Sequence, residues 1–235
     1  MIKFFRQIRQ KLLSENKLSK YLIYAVGEII LVVIGILIAL QINNKNEFNK
    51  SYTSTVNTLS QLKYELGQDI IFLKNEIAYS KRVKDYFNDI KSKNFNEVNV
   101  ENTFQYVTAN LSKPPISMSY DKLNKSGNID IIRDSTLINS LHDYYLEERH
   151  KYTKFANYNA EFTSDKIEGY LIYKLEIDEN LKSTEASVIN ELDNGNLINL
   201  INYQSTVYDF NEEMAQRMLQ KAEHIISLID DEIDS

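Results

Sequence analysis

The chain has 235 residues, 43% of them apolar, and 27 basic side chains against 33 acidic ones give a formal net charge of −6. That acidity argues against nucleic acid as a partner, since a phosphate backbone demands cations, and the absence of cysteine excludes disulfides and thiolate metal sites. The length is enough for one domain with a proper core in addition to a membrane segment.

The leading stretch MIKFFRQIRQKLL spaces Phe5, Ile8 and Leu12 by three and four, with Lys3, Arg6, Arg9 and Gln10 around the other side and Lys11 following. This predicts a basic amphipathic helix within residues 1–20, lying on membrane lipid of the anionic inner leaflet, where each cation contributes on the order of 1 kcal/mol. A topogenic charge cluster with no separate role reads the same residues as well.

Residues 21–42, YLIYAVGEIILVVIGILIALQI, contain one charge, Glu28, and no other strongly polar residue before Gln41. A helix of this length covers roughly 33 Å, enough to cross a hydrocarbon core of about 30 Å. Six basic residues precede it against one acid, whereas Asn43 to Lys50 hold two lysines and one glutamate. The positive-inside rule then places the N-terminus in the cytoplasm and exports residues 43–235. The apolar run exceeds the 7–15 residues of a signal-peptide core and Leu40-Gln41-Ile42-Asn43 offers no small-x-small cleavage site, so the anchor is expected to stay uncleaved.

Within the span, Ala25, Glu28, Val32, Gly35 and Ala39 recur at alternating threes and fours, which places the carboxyl on a face of small residues. Small residues let two backbones approach, and this composition suits a helix–helix contact in lipid. Glu28 lies about 10 Å below the start of the span and needs a partner or a proton there. A role in pinning the register of a homo-oligomer is the simpler reading, and ion-coupled chemistry the sharper one.

Outside the first 42 residues there remain 21 basic and 31 acidic residues, a net charge of −10. From Asn46 to about Ser92 the apolar positions Tyr52, Val56, Leu59, Leu62, Leu66, Ile70, Leu73 and Ile77 predict a long helix, with the stripe changing phase near Tyr79 to Val83, Phe87 and Ile90. No breaker separates Ile42 from Asn46, so the span can run on into it. A polar connector over 93–100 and a short helix from Glu101 to Leu111 lead to Pro114-Pro115, the main corner of the fold. Tyr120 to Ser126 forms two turns, Gly127 is placed as their left-handed cap, and Asp134 caps the next helix. That helix, Ser135 to about Lys174, carries an aromatic face of Tyr145, Tyr152, Phe155, Phe162 and Tyr170 behind Leu137 and Leu141. A polar turn region over Asp178–Asn196 precedes a last helix from Leu197 to about Ile233, with a seam of Leu200, Val207, Met214, Met218, Ile225 and Leu228. The fold class is therefore all-α: an N-terminal transmembrane helix followed by an elongated antiparallel helical bundle.

The run FFRQIRQKLLSENKLSKYLIYAVGEIILVVIGILIALQINN and the stretch SYDKLNKSGNIDIIRDSTLINSLHDYY resemble a family of uncharacterised single-pass membrane proteins of Gram-negative bacteria, known only as a domain of unknown function. The match in the second stretch rests on Tyr120, Leu123, Ser126, Gly127, Ile129, Ile132, Leu137, Leu141, Tyr144 and Tyr145. Lys45 stands where that family usually carries a tryptophan, so an aromatic residue at the outer interface is missing. The resemblance implies an inner-membrane protein with a helical exported domain, and brings no activity or catalytic residue with it.

No motif names a reaction. Glu147 and His150 have the Glu-x-x-His spacing of a di-iron helix, but no second pair exists. There is no Gly-rich phosphate loop, G-x-S-x-G elbow or H-E-x-x-H. No enzyme, metal or cofactor is expected. The expectation is a membrane-anchored scaffold or accessory subunit that self-associates and binds an envelope protein. The alternatives are a periplasmic ligand sensor signalling through a partner, and a subunit of an ion-driven membrane complex using Glu28.

Overall fold

The computed structural model describes residues 18–95 and 99–234, with side chains of the first helix from Leu22 onward. Lys3, Arg6, Arg9 and Lys11 lie outside the described residues. Among the described residues the chain is all-α, and its β pairing is one isolated antiparallel bridge, Ile177 to Ser183. It divides into two compact units, Met1–Ser54 and Thr55–Ser235.

Helix α1 is Leu18–Lys91, 74 residues without a proline. It is the one helix, among the described residues, long and apolar enough to cross a membrane by length and composition. None of its most apolar 18 residues is buried. In the second unit the same helix buries Leu59, Leu62, Leu66, Asp69, Leu73, Glu76, Ser80, Val83, Phe87 and Ile90. These positions alternate threes and fours without a break, a seven-residue repeat of the kind that packs helices side by side. The phase change expected near Tyr79 is therefore absent. Ile70 and Ile77 are only partly buried; the core positions beside them belong to Asp69 and Glu76, which an apolar count passes over.

After α1 come a 3-10 turn, Val100–Asn102, and α2, Thr103–Val107. An irregular stretch holding Pro114 and Pro115 follows, as a pair of prolines requires. Then α3, Ser119–Lys125, and a 3-10 turn, Asn128–Ile131, flank Gly127. The predicted helix from Ser135 to Lys174 is helical throughout but not uniform. It consists of α4 Ser135–His142, a π segment Asp143–Glu148, α5 Arg149–Phe162, a second π segment Thr163–Glu168, and α6 Gly169–Lys174. A π turn inserts an extra residue and slows the winding. Buried positions after Ala156 accordingly fall at Asn159, Thr163, Ile167, Leu171 and Leu175. Phe155, Phe162 and Tyr170, placed on the core face by a uniform helix, are only partly buried.

The turn region expected over Asp178–Asn196 contains a further helix, α7 Glu185–Asp193. Thr184 caps it by accepting from the Ser187 amide, and Val188 and Leu192, one turn apart, are buried. The last helix, α8, is Asn196–Asp234. Val207, Met218 and Ile225 of its predicted seam are buried, while Leu200, Met214 and Leu228 are half-buried beside it.

Two apolar clusters fill the second unit. One gathers Leu59 to Leu73 of α1 with Leu123, Leu137, Leu141, Met218 and Ile225. The other gathers Val83 to Ile90 with Phe104, Leu171, Val188, Ile201 and Tyr208. Between α1 and α8, Lys63 pairs with Asp230, Lys74 with Glu223, and Lys84 with Glu212 and Asp209. Partner numbers fall along α8 as lysine numbers rise along α1.

Gly127 has φ +71, a conformation that strains any residue with a Cβ, though nothing lies within 4 Å of where a Cβ would stand. Gly127→Val should therefore lower stability by about 1 kcal/mol or more through backbone strain alone. Gly127→Asn should cost less, since asparagine tolerates this region. Thermal melting of the full chain, followed by circular dichroism, checks the order; equal melting temperatures for all three proteins would refute it.

Candidate functional site

The repeat on α1 turns two acidic side chains, Asp69 and Glu76, toward the other helices, and a third, Glu65, lies partly buried beside Leu66; each meets a different answer. Asp69 is 2% exposed. Its Oδ2 accepts from the Tyr144 hydroxyl at 2.9 Å and from Arg149 Nη1. Arg149 also lies over the Tyr145 ring, 5.7 Å from its centroid, and Tyr145 stacks on Tyr120 at 4.5 Å. Tyr144 and Tyr145 are the buried residues of the first π segment, and Arg149 begins the helix that follows it. Lys221 of α8 bonds Asp143 and Glu148, and Arg217 bonds Glu148, so the segment is also tied to α8.

Glu76 is 7% exposed and, among the described residues, makes no ion pair. Asn211 Nδ2 reaches its Oε2 at 3.4 Å and the Ser80 hydroxyl at 3.0 Å, with the Tyr152 hydroxyl at 3.5 Å from the same carboxylate oxygen. In sequence these residues fall between the two apolar clusters, after Leu73 and before Val83 on α1. Glu65 accepts from the hydroxyls of Ser117 and Ser119, both at 2.7 Å, and from the Ser119 amide at 3.2 Å. It thereby ties the stretch after Pro115 to α1.

Electrostatics separate two of these groups. Burial pushes the Asp69 carboxyl above the ordinary aspartate range, although Arg149 and the Tyr144 hydroxyl oppose it. Partial burial also raises Glu65, but the bonds from Ser117 and Ser119 outweigh it and leave this carboxyl below its ordinary value. The Tyr144 phenol is driven far above its usual range by burial and by Asp69 beside it.

Of the residues singled out in the sequence, Ala25, Glu28, Val32, Gly35 and Ala39 all lie on α1. Ala25, Glu28 and Val32, with Ile29 and Val33, line an open groove of about 360 Å³. Nothing lies within 4 Å of a Cβ built on Gly35. Asp134 sits at the N-cap of α4 and accepts from the Thr136 amide at 2.7 Å, while Glu232 accepts from the Arg133 and Asp134 amides. Glu147 bonds Lys151 on the surface and His150 is exposed, so this pair stands apart from the buried row. No group of three or more His, Cys, Asp or Glu able to hold a metal occurs among the described residues. Sequence reading missed Asp69, Glu76, Arg149 and Asn211. The available signal was the strict three–four spacing from Leu66 through Asp69, Leu73 and Glu76.

A family profile described as "Family of unknown function (DUF6090)" matches residues 28–206. No curated protein and no solved structure matches the chain.

The buried pair predicts a large effect of breaking it from one side. Arg149→Met should destabilise by about 3–5 kcal/mol because Asp69 is left buried without its cation, and adding Asp69→Asn should recover much of that loss. The pH dependence carries a sign for each carboxyl. With its folded-state pKa raised, Asp69 contributes most below the unfolded value, and that contribution is lost as pH rises through the folded value. With its pKa lowered, Glu65 contributes above the unfolded value and loses that contribution as pH falls. Denaturant unfolding across pH should show Asp69→Asn removing the first slope and Glu65→Gln the second; unchanged slopes would contradict the assignment.

Proposed function

From the premise that this chain belongs to the Family of unknown function (DUF6090), we propose a non-enzymatic protein anchored in a bacterial inner membrane by residues 21–42. It self-associates through that span and holds an exported helical domain against a protein partner of the envelope. The observation that carries this reading is the exposure of the large apolar side chains from Leu22 to Ile42, with Ile23 as much as 73% exposed. An apolar surface this long, with only Glu28 to interrupt it, is costly in water and costs nothing in lipid.

The basic residues before the span support a cytoplasmic N-terminus. In the exported domain, the falling order of the Lys63, Lys74 and Lys84 partners supports an antiparallel bundle. The carboxylates of its core are engaged by hydroxyl, amide and guanidinium groups, which suits a rigid scaffold better than a reacting centre. Lipid and a second copy of the chain are the partners of the span; the acidic bundle faces the envelope partner.

Topology is tested directly. Protease added to spheroplasts should digest residues beyond about 45 and leave a membrane-protected N-terminal fragment; loss of the N-terminus would invert the orientation. Self-association separates two uses of Glu28. Gly35→Leu should weaken cross-linked oligomers in membranes by blocking close approach, while Glu28→Gln should largely preserve them because an amide still donates and accepts hydrogen bonds. The reverse pattern, intact assembly with loss of an envelope phenotype in Glu28→Gln, would replace the scaffold with an ion-coupled subunit.

A further inference from the structure

Two amides interrupt the rows of α5 and α8 that feed the second apolar cluster. Asn159 falls between Ala156 and Ile167, and Gln204 between Ile201 and Tyr208. Asn159 is 1% exposed and Gln204 is wholly buried. Among the described residues, no protein group bonds Nδ2 or Oδ1 of Asn159, or Oε1 of Gln204. Reversing the Gln204 amide would not pair that oxygen, because its Nε2 donates at 2.8 Å to the Val107 carbonyl, which can only accept. The same nitrogen donates to the Thr163 hydroxyl at 3.3 Å. Thr163 in turn bonds the Asn159 carbonyl through its amide, so the two stand one helical turn apart with side chains about 5–6 Å from each other. We infer that this point of the bundle is a site for internal water, about two molecules, joining the two amides.

Three features select that ligand. The two amides and the Thr163 hydroxyl are neutral, so they do not offset the charge of an ion taken out of water. The free atoms ask for a molecule that both donates and accepts, since two carbonyl oxygens need donors and Asn159 Nδ2 needs an acceptor. One water donating to Asn159 Oδ1 and Gln204 Oε1, bonded to a second that accepts from Nδ2, completes the set. Ala156, Ile167, Ile201 and Tyr208 beside these amides along the two helices are each 0% exposed, and such close packing favours the smallest solute. A buried amide left without partners bears its full desolvation cost, and bound water recovers it. The inference does not depend on the membrane reading.

The test counts long-lived water by magnetic relaxation dispersion of the water oxygen, on the full chain in detergent. Asn159→Leu, which keeps a side chain of similar shape and removes both free atoms, should lower the dispersion amplitude by the equivalent of about two waters. Asn202→Ala, at an exposed position of α8, should leave it unchanged. An undiminished amplitude in an Asn159→Leu chain that still melts cooperatively overturns the proposal. A crystal structure of the unaltered chain gives a reading that does not depend on the variant folding. Ordered water within hydrogen-bond distance of Asn159 and of Gln204 Oε1 is expected there; the two amides bonded directly to each other or to backbone, with no water between them, would overturn it.

Discussion

A carboxylate set at a core position of a helix must find a cation, hydrogen-bond donors or a proton there, because taking an ion out of water costs several kcal/mol. Asp69 imposes this condition on the helix facing it. The π segment at Asp143–Glu148 carries buried Tyr144 and Tyr145 and is followed directly by Arg149, and Tyr144 and Arg149 both reach the carboxylate. The segment is also tied to α8, where Lys221 and Arg217 take up Asp143 and Glu148. Asp69 on α1 and two cations on α8 thus all bond to this segment or to the residue that follows it.

The all-α class, the proline corner and the bounds of the longest helices were legible because they rest on local signals. Those signals are periodic apolar residues, absence of breakers, and a proline pair. What was not legible depends on contacts between helices. Asp69 and Glu76 look like solvated residues until the heptad spacing is counted through them, and Ile70 and Ile77, one position along, are apolar enough to draw the stripe away. No local propensity announces a π segment. Helix α7 escaped because Val188 and Leu192 are the only apolar residues among the four it buries, within a stretch of acids and asparagines.

Tyrosine is the side chain that reconciles this polar row with close packing. With 16 tyrosines and no tryptophan, the chain repeatedly sets a ring into an apolar cluster and its hydroxyl on a polar atom, the use to which an amphipathic ring is suited. Tyr144 and Tyr152 do so toward Asp69 and Glu76. Tyr86 does so toward Thr103 and the Asn99 carbonyl, with its phenol pushed up to about 12 chiefly by burial.

Asp69 and Glu76 stand seven residues apart, and that interval decides how α1 can be threaded. A helix whose core positions repeat every seven residues can slide by one repeat and still offer apolar groups to its neighbours, so leucines alone would leave several alignments nearly equal in energy. Here a slide in one direction sets Glu76 opposite Arg149 but Val83 opposite Asn211 and Tyr152, stranding an amide and a phenol. A slide in the other sets Leu62 opposite Arg149 and strands a buried cation. Each misalignment costs on the order of a few kcal/mol. The polar row therefore behaves as a combination lock whose two unlike tumblers accept one alignment of a repetitive helix.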